Sequence, residues 1–332
     1  MRQNQFLQKR GFAAAAAIFC TLLWGTAFPF IKLGYAAFAV TDDDIGAKLL
    51  FAGLRFFIAG LMVLIFLCAR EKRLVLPEKS ALLPVAALGA VQTFGQYLFT
   101  YIGIGFTTGA NTSIITACAS FLTVAGAAVF FKSDRLTVLK ILGCVLGFGG
   151  VLVMNGTGGF ALQTLFGDSF IFLSTVFAAA GNLIAKKISA DRSPVKITAY
   201  QLLFGGAALC AAGLVCGGRL NMTSGQGVLI LLWLAFVSAA AFTVWTALLR
   251  IHPASKISVF NLLVPIFGTV LSGLLLGENI LKIETLLSLL LIAAGILLVN
   301  FSKGGKKHDK SGHFGYGRRD ARQRKALCPL LV

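Results

Sequence analysis

The chain has 332 residues, of which 57% are apolar and only 13% charged, against about 25% charged in a typical soluble domain; composition excludes a water-soluble fold. Ten spans of about 20 residues each fit this length with short loops and one tail. The net charge of +18 is no nucleic-acid signature, because nine of the thirty Lys and Arg lie between Lys303 and Lys325 and most others flank apolar runs; it reads as membrane topology.

Residues 1–11 carry Arg2, Lys9 and Arg10, the charge layout of a signal peptide. No small-x-small cleavage pattern follows, so the first apolar run reads as a span that stays attached. Apolar runs fall at 12–34, 47–68, 81–101, 108–130, 137–155, 166–186, 198–217, 227–249, 257–276 and 283–301. Each is expected to be helical, because an unpaired amide in hydrocarbon costs several kcal/mol and these runs lack a barrel's alternation. With the N-terminus inside, 25 of the 30 basic residues fall on the inner side and only Lys48, Arg219 and Lys282 on the outer. Both termini are therefore expected to be cytoplasmic, in a cell (inner) membrane. Residues 302–332 have no apolar period and read as a basic, disordered cytoplasmic tail.

An internal echo divides the spans. Gly150–Asn155 precedes the similar Gly295–Asn300 by 145 positions, giving halves of 12–155 and 156–301. Five spans per half is an odd number, so the second half enters the membrane from the opposite side: an all-α integral membrane protein of ten transmembrane helices in two inverted five-helix repeats. Halves related in this way can exchange conformations, which favours alternating access.

The run Leu23–Trp24–Gly25–Thr26–Ala27–Phe28–Pro29–Phe30–Ile31–Lys32, then Leu54–Arg55–Phe56, then Asn261–Leu262–Leu263–Val264–Pro265–Ile266–Phe267 leading to Leu276–Gly277–Glu278, resembles the EamA-type drug/metabolite transporters across residues 12–301. The resemblance implies two inverted five-helix repeats and export or exchange of small metabolites, amino acids or drugs through a central cavity. The halves depart from each other: Ser120 stands opposite Pro265, and Lys132–Ser133, with Asp134 next, opposite Gly277–Glu278.

Ionisable groups within spans are costly, roughly 2.5–3.5 kcal/mol each on insertion scales. Lys32 and Arg55 are such groups, placed toward the outer side, where they read either as snorkelling cations or as an anion contact and gate. Gln92, Gln96 and Thr100 share a helical face, as do Thr116, Ser120 and Thr123; both stripes fit cavity lining and helix packing alike. Asn182, Tyr200, Gln201, Trp245 and Asn261 fall toward the inner ends of their spans. The expected substrate-binding set is Trp24, Arg55, Gln92, Gln96, Thr116, Ser120, Trp245 and Asn261, with Lys32, Asn182 and Gln201 as gates. Pro29 and Pro265 each remove an intrahelical hydrogen bond and are candidate hinges.

All twelve acidic residues fall in loops, tail or span ends. A buried carboxylate proton relay is therefore not expected; exchange or facilitated diffusion is, with any proton coupling at span ends, Glu278 the candidate. The seven cysteines form no Cys-x2-Cys pair, the three histidines have no i+4 partner, and no phosphate-binding Gly-x-x-x-x-Gly-Lys-Ser/Thr occurs. No metal, cofactor or catalytic residue is expected. An intramembrane enzyme would need convergent acid–base groups, and a receptor or sensor would ordinarily carry a soluble domain. Expected partners are a small-molecule substrate and the lipid bilayer, with no nucleic acid; monomer and homodimer both stay open.

Overall fold

The structure is a computed structural model and describes residues 10–41, 43–104, 106, 107, 109–132, 134–155, 165–276 and 283–302. The tail read at 303–332, residues 1–9 and the coupling candidate Glu278 lie outside the described residues. Among the described residues all regular structure is helical: α1 (Arg10–Ala37), α2 (Ile45–Glu71), α3 (Lys79–Leu88, a π-helical turn Gly89–Gly95, then Gln96–Ile104), α4 (Gly109–Phe130), α5 (Val138–Asn155), α6 (Leu165–Ser189), α7 (Pro194–Val215), α8 (Gly225–Ile251), α9 (Ala254–Ser258, a 3-10 turn Val259–Leu262, then Leu263–Leu276) and α10 (Ile283–Phe301). Each lies within four residues of an expected span at both ends. Eight are long and apolar enough to cross a membrane; α4 and α5 offer the shorter apolar stretches Ile115–Phe130 and Val138–Val153.

Local chemistry sets several helix boundaries. Asp44 caps α2 by accepting from the Ala47 amide at 2.7 Å, and Ser224 caps α8 through Gly227 N–H at 3.1 Å, each satisfying an otherwise orphaned first-turn donor. Pro194 occupies the first turn of α7, where its missing N–H costs nothing. Several helix ends meet through hydrogen bonds between residues far apart in the chain. Tyr200 donates to the Val75 carbonyl, Thr137 and Ser302 share a hydroxyl bond of 2.8 Å, and Arg192 donates to the Ser80 carbonyl at 3.3 Å. These bonds lie at the end of the bundle carrying Arg10 and Ser302, hereafter the terminal end. The Ser80 carbonyl is available because Pro84, four residues on, has no N–H to offer it.

The helices pair closely through glycine: α2 lies along α7, and α5 along α10. A Cβ on Gly206 would overlap the Phe57 backbone nitrogen, and one on Gly143 would stand 2.6 Å from the Gly295 carbonyl oxygen. Without a hydrophobic drive between helices in lipid, such close backbone approach is a main source of association. Gly206→Val is therefore expected to destabilise the protein in detergent by about 1–3 kcal/mol through overpacking. Gly149, where an added Cβ meets nothing within 4 Å, should tolerate alanine; equal melting temperatures for the two variants would refute this packing.

Candidate functional site

The outside of the bundle is apolar and part of its inside is polar, the reverse of a soluble protein. Phe12, Ile65, Phe66, Val129, Phe130 and Leu290 are exposed, whereas Arg55, Gln92, Thr93, Asn182, Gln201 and Ser238 are buried. This inversion calls for a lipid surround and gives the interior polar groups work beyond solubility.

Four of the expected residues meet inside the bundle, Trp24 and Gln92 at mid-helix and Asn182 and Trp245 toward the last two turns of α6 and α8. Trp24 of α1 and Trp245 of α8 pack edge to face with ring centroids 5.0 Å apart. The Trp245 indole N–H donates to Asn182 Oδ1 at 3.1 Å, and Gln92 Nε2 donates to the same oxygen at 3.4 Å. Asn182 thus ties α3 and α8 to α6. Three polar atoms around this floor are buried without a partner: Trp24 Nε1, Gln92 Oε1 and Thr93 Oγ1. Gln201, 0% exposed, leaves both ends of its amide unpaired. Buried polar groups are ordinarily paired, so an orphaned cluster points to water or a ligand.

The π turn Gly89–Gly95 creates this concentration. A π turn holds one more residue than an α turn and is often found at functional sites. Here it places Gln92 against Gly181 of α6 and Thr93 against Gly205 of α7, while Gly89 lets α7 approach until an added Cβ would be 2.7 Å from the Gln201 carbonyl. The face expected to run Gln92–Gln96–Thr100 on α-helical spacing is thereby interrupted. Gln92 turns onto α6, Gln96 is half-buried with no side-chain hydrogen bond, and Thr100 donates back to the Gln96 carbonyl at 2.8 Å.

Above the floor an aromatic wall leads to Arg55. Trp24 packs on Phe242 (5.5 Å between centroids), Phe242 on Phe56 (6.2 Å) and Phe56 on Tyr97 (4.4 Å). Arg55 stacks over Phe56 at 5.0 Å and donates through Nε to Ser238 Oγ at 2.9 Å. It is the eleventh residue of a 27-residue helix, nearer the middle than the outer position expected. Arg55 is 2% exposed whereas Lys32 is exposed, so the two cations grouped by sequence occupy different surroundings.

Other expected residues have structural partners. Ser120 donates to the Ser258 carbonyl at 3.0 Å, linking α4 to α9 where α9 tightens into its 3-10 turn. Thr116 and Thr123 donate back to Thr112 and Ala119 carbonyls, each at 2.8 Å. Asn261 is half-buried with Oδ1 unpaired; its carbonyl is the one Pro265 cannot bond, which accounts for the irregular turn beside that proline. Helix α1, in contrast, runs unbroken through Pro29.

Sequence reasoning missed a buried carboxylate. Asp134 is 1% exposed. It receives Lys140 Nζ at 2.5 Å, the Ser255 hydroxyl, and the Ser255 amide at 3.0 Å; Lys140 also donates to the Arg135 carbonyl at 2.7 Å. In sequence it is one charge in a basic loop, and the only signal is Lys140 six residues on.

Apolar outer surfaces, long apolar helices and a polar interior define a multi-pass integral membrane protein. Two successive stretches, residues 11–156 and 165–301, each match the model of the EamA-like transporter family, and the chain belongs to that family. It is 28% identical over 291 residues to the uncharacterized transporter YvbV of Bacillus subtilis, covering 87% of this chain and 92% of that one. It is 27% identical over 316 residues to the uncharacterized inner membrane transporter YedA of Escherichia coli, covering 91% and 94%. A solved crystal structure shares the fold with a TM-score of 0.74 at 19% identity, covering 87% of this chain and 96% of that one. The protein is thus a membrane transporter of this family. The names its relatives carry point away from an enzyme.

Proposed function

We propose that the protein is a secondary transporter that moves small metabolites, amino acids or drugs by alternating access, in the cell (inner) membrane with both termini cytoplasmic. The observation that carries this reading is a set of unpaired polar atoms buried on helices of both halves, Trp24 Nε1 and Gln92 Oε1 at the floor and the Gln201 amide on α7. The reading takes all ten helices as spans arranged as two inverted five-helix repeats. Helix pairing supports it: α1 packs on α8 and α9 as α6 packs on α3 and α4, while α2 pairs with α7 and α5 with α10. A rotation exchanging the halves reproduces each pairing, and an odd number of helices per half reverses their direction.

Four hydrogen-bonded ties across the halves lie at the terminal end, Asp134–Ser255, Thr137–Ser302, Tyr200–Val75 and Arg192–Ser80. They support a conformation closed at that end, which transport must open. Purified full-length protein in proteoliposomes should exchange internal unlabelled solute for labelled solute in a panel of amino acids, nucleobases and aromatic acids, without a proton gradient. Gln201→Leu removes both unpaired amide ends without adding bulk to the glycine contacts; exchange should fall at least tenfold while the folded yield holds. Exchange that collapses with the proton gradient would argue against uncoupled transport. Unchanged exchange in Gln201→Leu would argue against this set.

A further inference from the structure

Arg55 stands apart from the other buried cations among the described residues, Lys140 and Lys48. Lys140 has Asp134, at 2.5 Å. Lys48, two turns before Arg55 on α2, lies close enough to Asp43 for their charges to interact and stacks over Tyr35 at 5.7 Å. Among the described residues no carboxylate pairs with Arg55, whose one hydrogen bond, from Nε to Ser238, leaves both terminal nitrogens of the fork without a protein acceptor. The Ser238 hydroxyl is itself committed, donating to Leu234 at 3.0 Å. Three tyrosines, Tyr35, Tyr97 and Tyr101, lie close enough to feel the charge. A permanently charged group held this deep without a counter-ion is costly, and the free edge formed by the two terminal nitrogens of a guanidinium matches one carboxylate in bidentate geometry.

We propose that Arg55 is the anion-binding end of the transport site and that the solute bears one negative charge on a flat apolar body. This inference rests on the carrier reading and names its substrate class. The body would lie along Phe56, Phe242 and Trp24, and its far end would reach the Asn182–Gln92 floor. Ser238 and Trp245 mark the two ends on α8, seven residues or about 10 Å apart at 1.5 Å per residue, the length of a small aromatic acid. One uncompensated cation suits a monoanion better than a dianion, which would bring surplus charge into the same low-dielectric interior.

Four probes of one shape and different charge test this: phenylacetate, phenyl phosphate, phenethylammonium and 2-phenylethanol, titrated calorimetrically into detergent-purified full-length protein. Phenylacetate should bind most tightly. Its affinity should fall at least tenfold in Arg55→Gln and less in Arg55→Lys, which keeps the charge and loses the fork. If Arg55→Gln fails to fold, Arg55→Lys decides alone, because the preference for phenylacetate over 2-phenylethanol should shrink but persist. Equal binding of the alcohol or the amine, undiminished phenylacetate affinity in the folded variants, or no binding of either anion would overturn the proposal; tighter binding of phenyl phosphate would overturn its single-charge clause. Exchange of phenethylammonium that survives Arg55→Gln would overturn the anion site and leave the carrier standing. Phenylacetate binding without exchange in vesicles would do the opposite.

Discussion

Asp134→Asn is expected to lower stability by roughly 3–5 kcal/mol, the usual cost of removing one partner from a buried ion pair. The reason lies in what remains. Lys140 is 2% exposed and would keep only the Arg135 carbonyl as acceptor, while the amide that replaces the carboxylate turns a donor toward the Lys140 ammonium or the Ser255 N–H. In detergent the apparent melting temperature should fall by about 10 °C. A compensating change separates a stranded charge from a general packing defect: Asp134→Asn combined with Lys140→Met removes the stranded cation and should recover more than half of the loss, since replacing both members of a buried pair by neutral groups is often close to neutral. Ser255→Ala, which removes one donor and leaves the pair, should cost about 1 kcal/mol. An Asp134→Asn protein melting with the wild type would mean that the pair is not formed. Because this cluster also joins the loop between α4 and α5 to the start of α9, the variant should loosen the terminal end and raise the rate of solute exchange per folded molecule.

The helices were legible because their determinants are local and repeated. A run such as Phe51–Cys68 buries its backbone in lipid only as a helix, and the charges that alternate between spans mark the ends. Interruptions within helices were not legible. The π turn at Gly89–Gly95 follows from how α6 and α7 press on α3 at Gly181 and Gly205, contacts between residues about 90 to 115 positions apart. It displaced the expected glutamine face, whose α-helical period was a fair inference from α3 alone. The meeting of Trp24, Trp245, Asn182 and Gln92 had only partial signals: each residue stood out as polar or aromatic within an apolar run, but nothing in one sequence says which helical faces converge. In sequence Asp134 reads as a loop charge, because solvent exposure is the default for acidic residues. Its burial depends on Ser255, over a hundred residues away.

Asn182→Leu is expected to abolish at least nine-tenths of solute exchange. One oxygen, Asn182 Oδ1, accepts both the Trp245 indole N–H and Gln92 Nε2, so leucine strands two buried donors at about 1–3 kcal/mol each. Both must then move or find water, and either response reshapes the floor against which the solute would rest. Trp245→Phe removes one donor and its ring nitrogen but leaves the Gln92 bond, so it should be milder, with exchange reduced severalfold. In the double variant the two losses should not add, because Asn182 and Trp245 share one bond; a coupling of about 1 kcal/mol in exchange or melting is expected for residues in direct contact. The chain's three tryptophans supply the readout. Trp24 and Trp245 sit at the floor whereas Trp233 is exposed on the bundle surface, so a Trp233→Phe background makes intrinsic fluorescence report the floor alone. Loss of the Asn182 acceptor should shift that emission and remove any quenching that a bound aromatic solute causes. If Asn182→Leu exchanges solute at the wild-type rate with unchanged fluorescence, the shared oxygen is packing only, and the solute path lies elsewhere in the bundle.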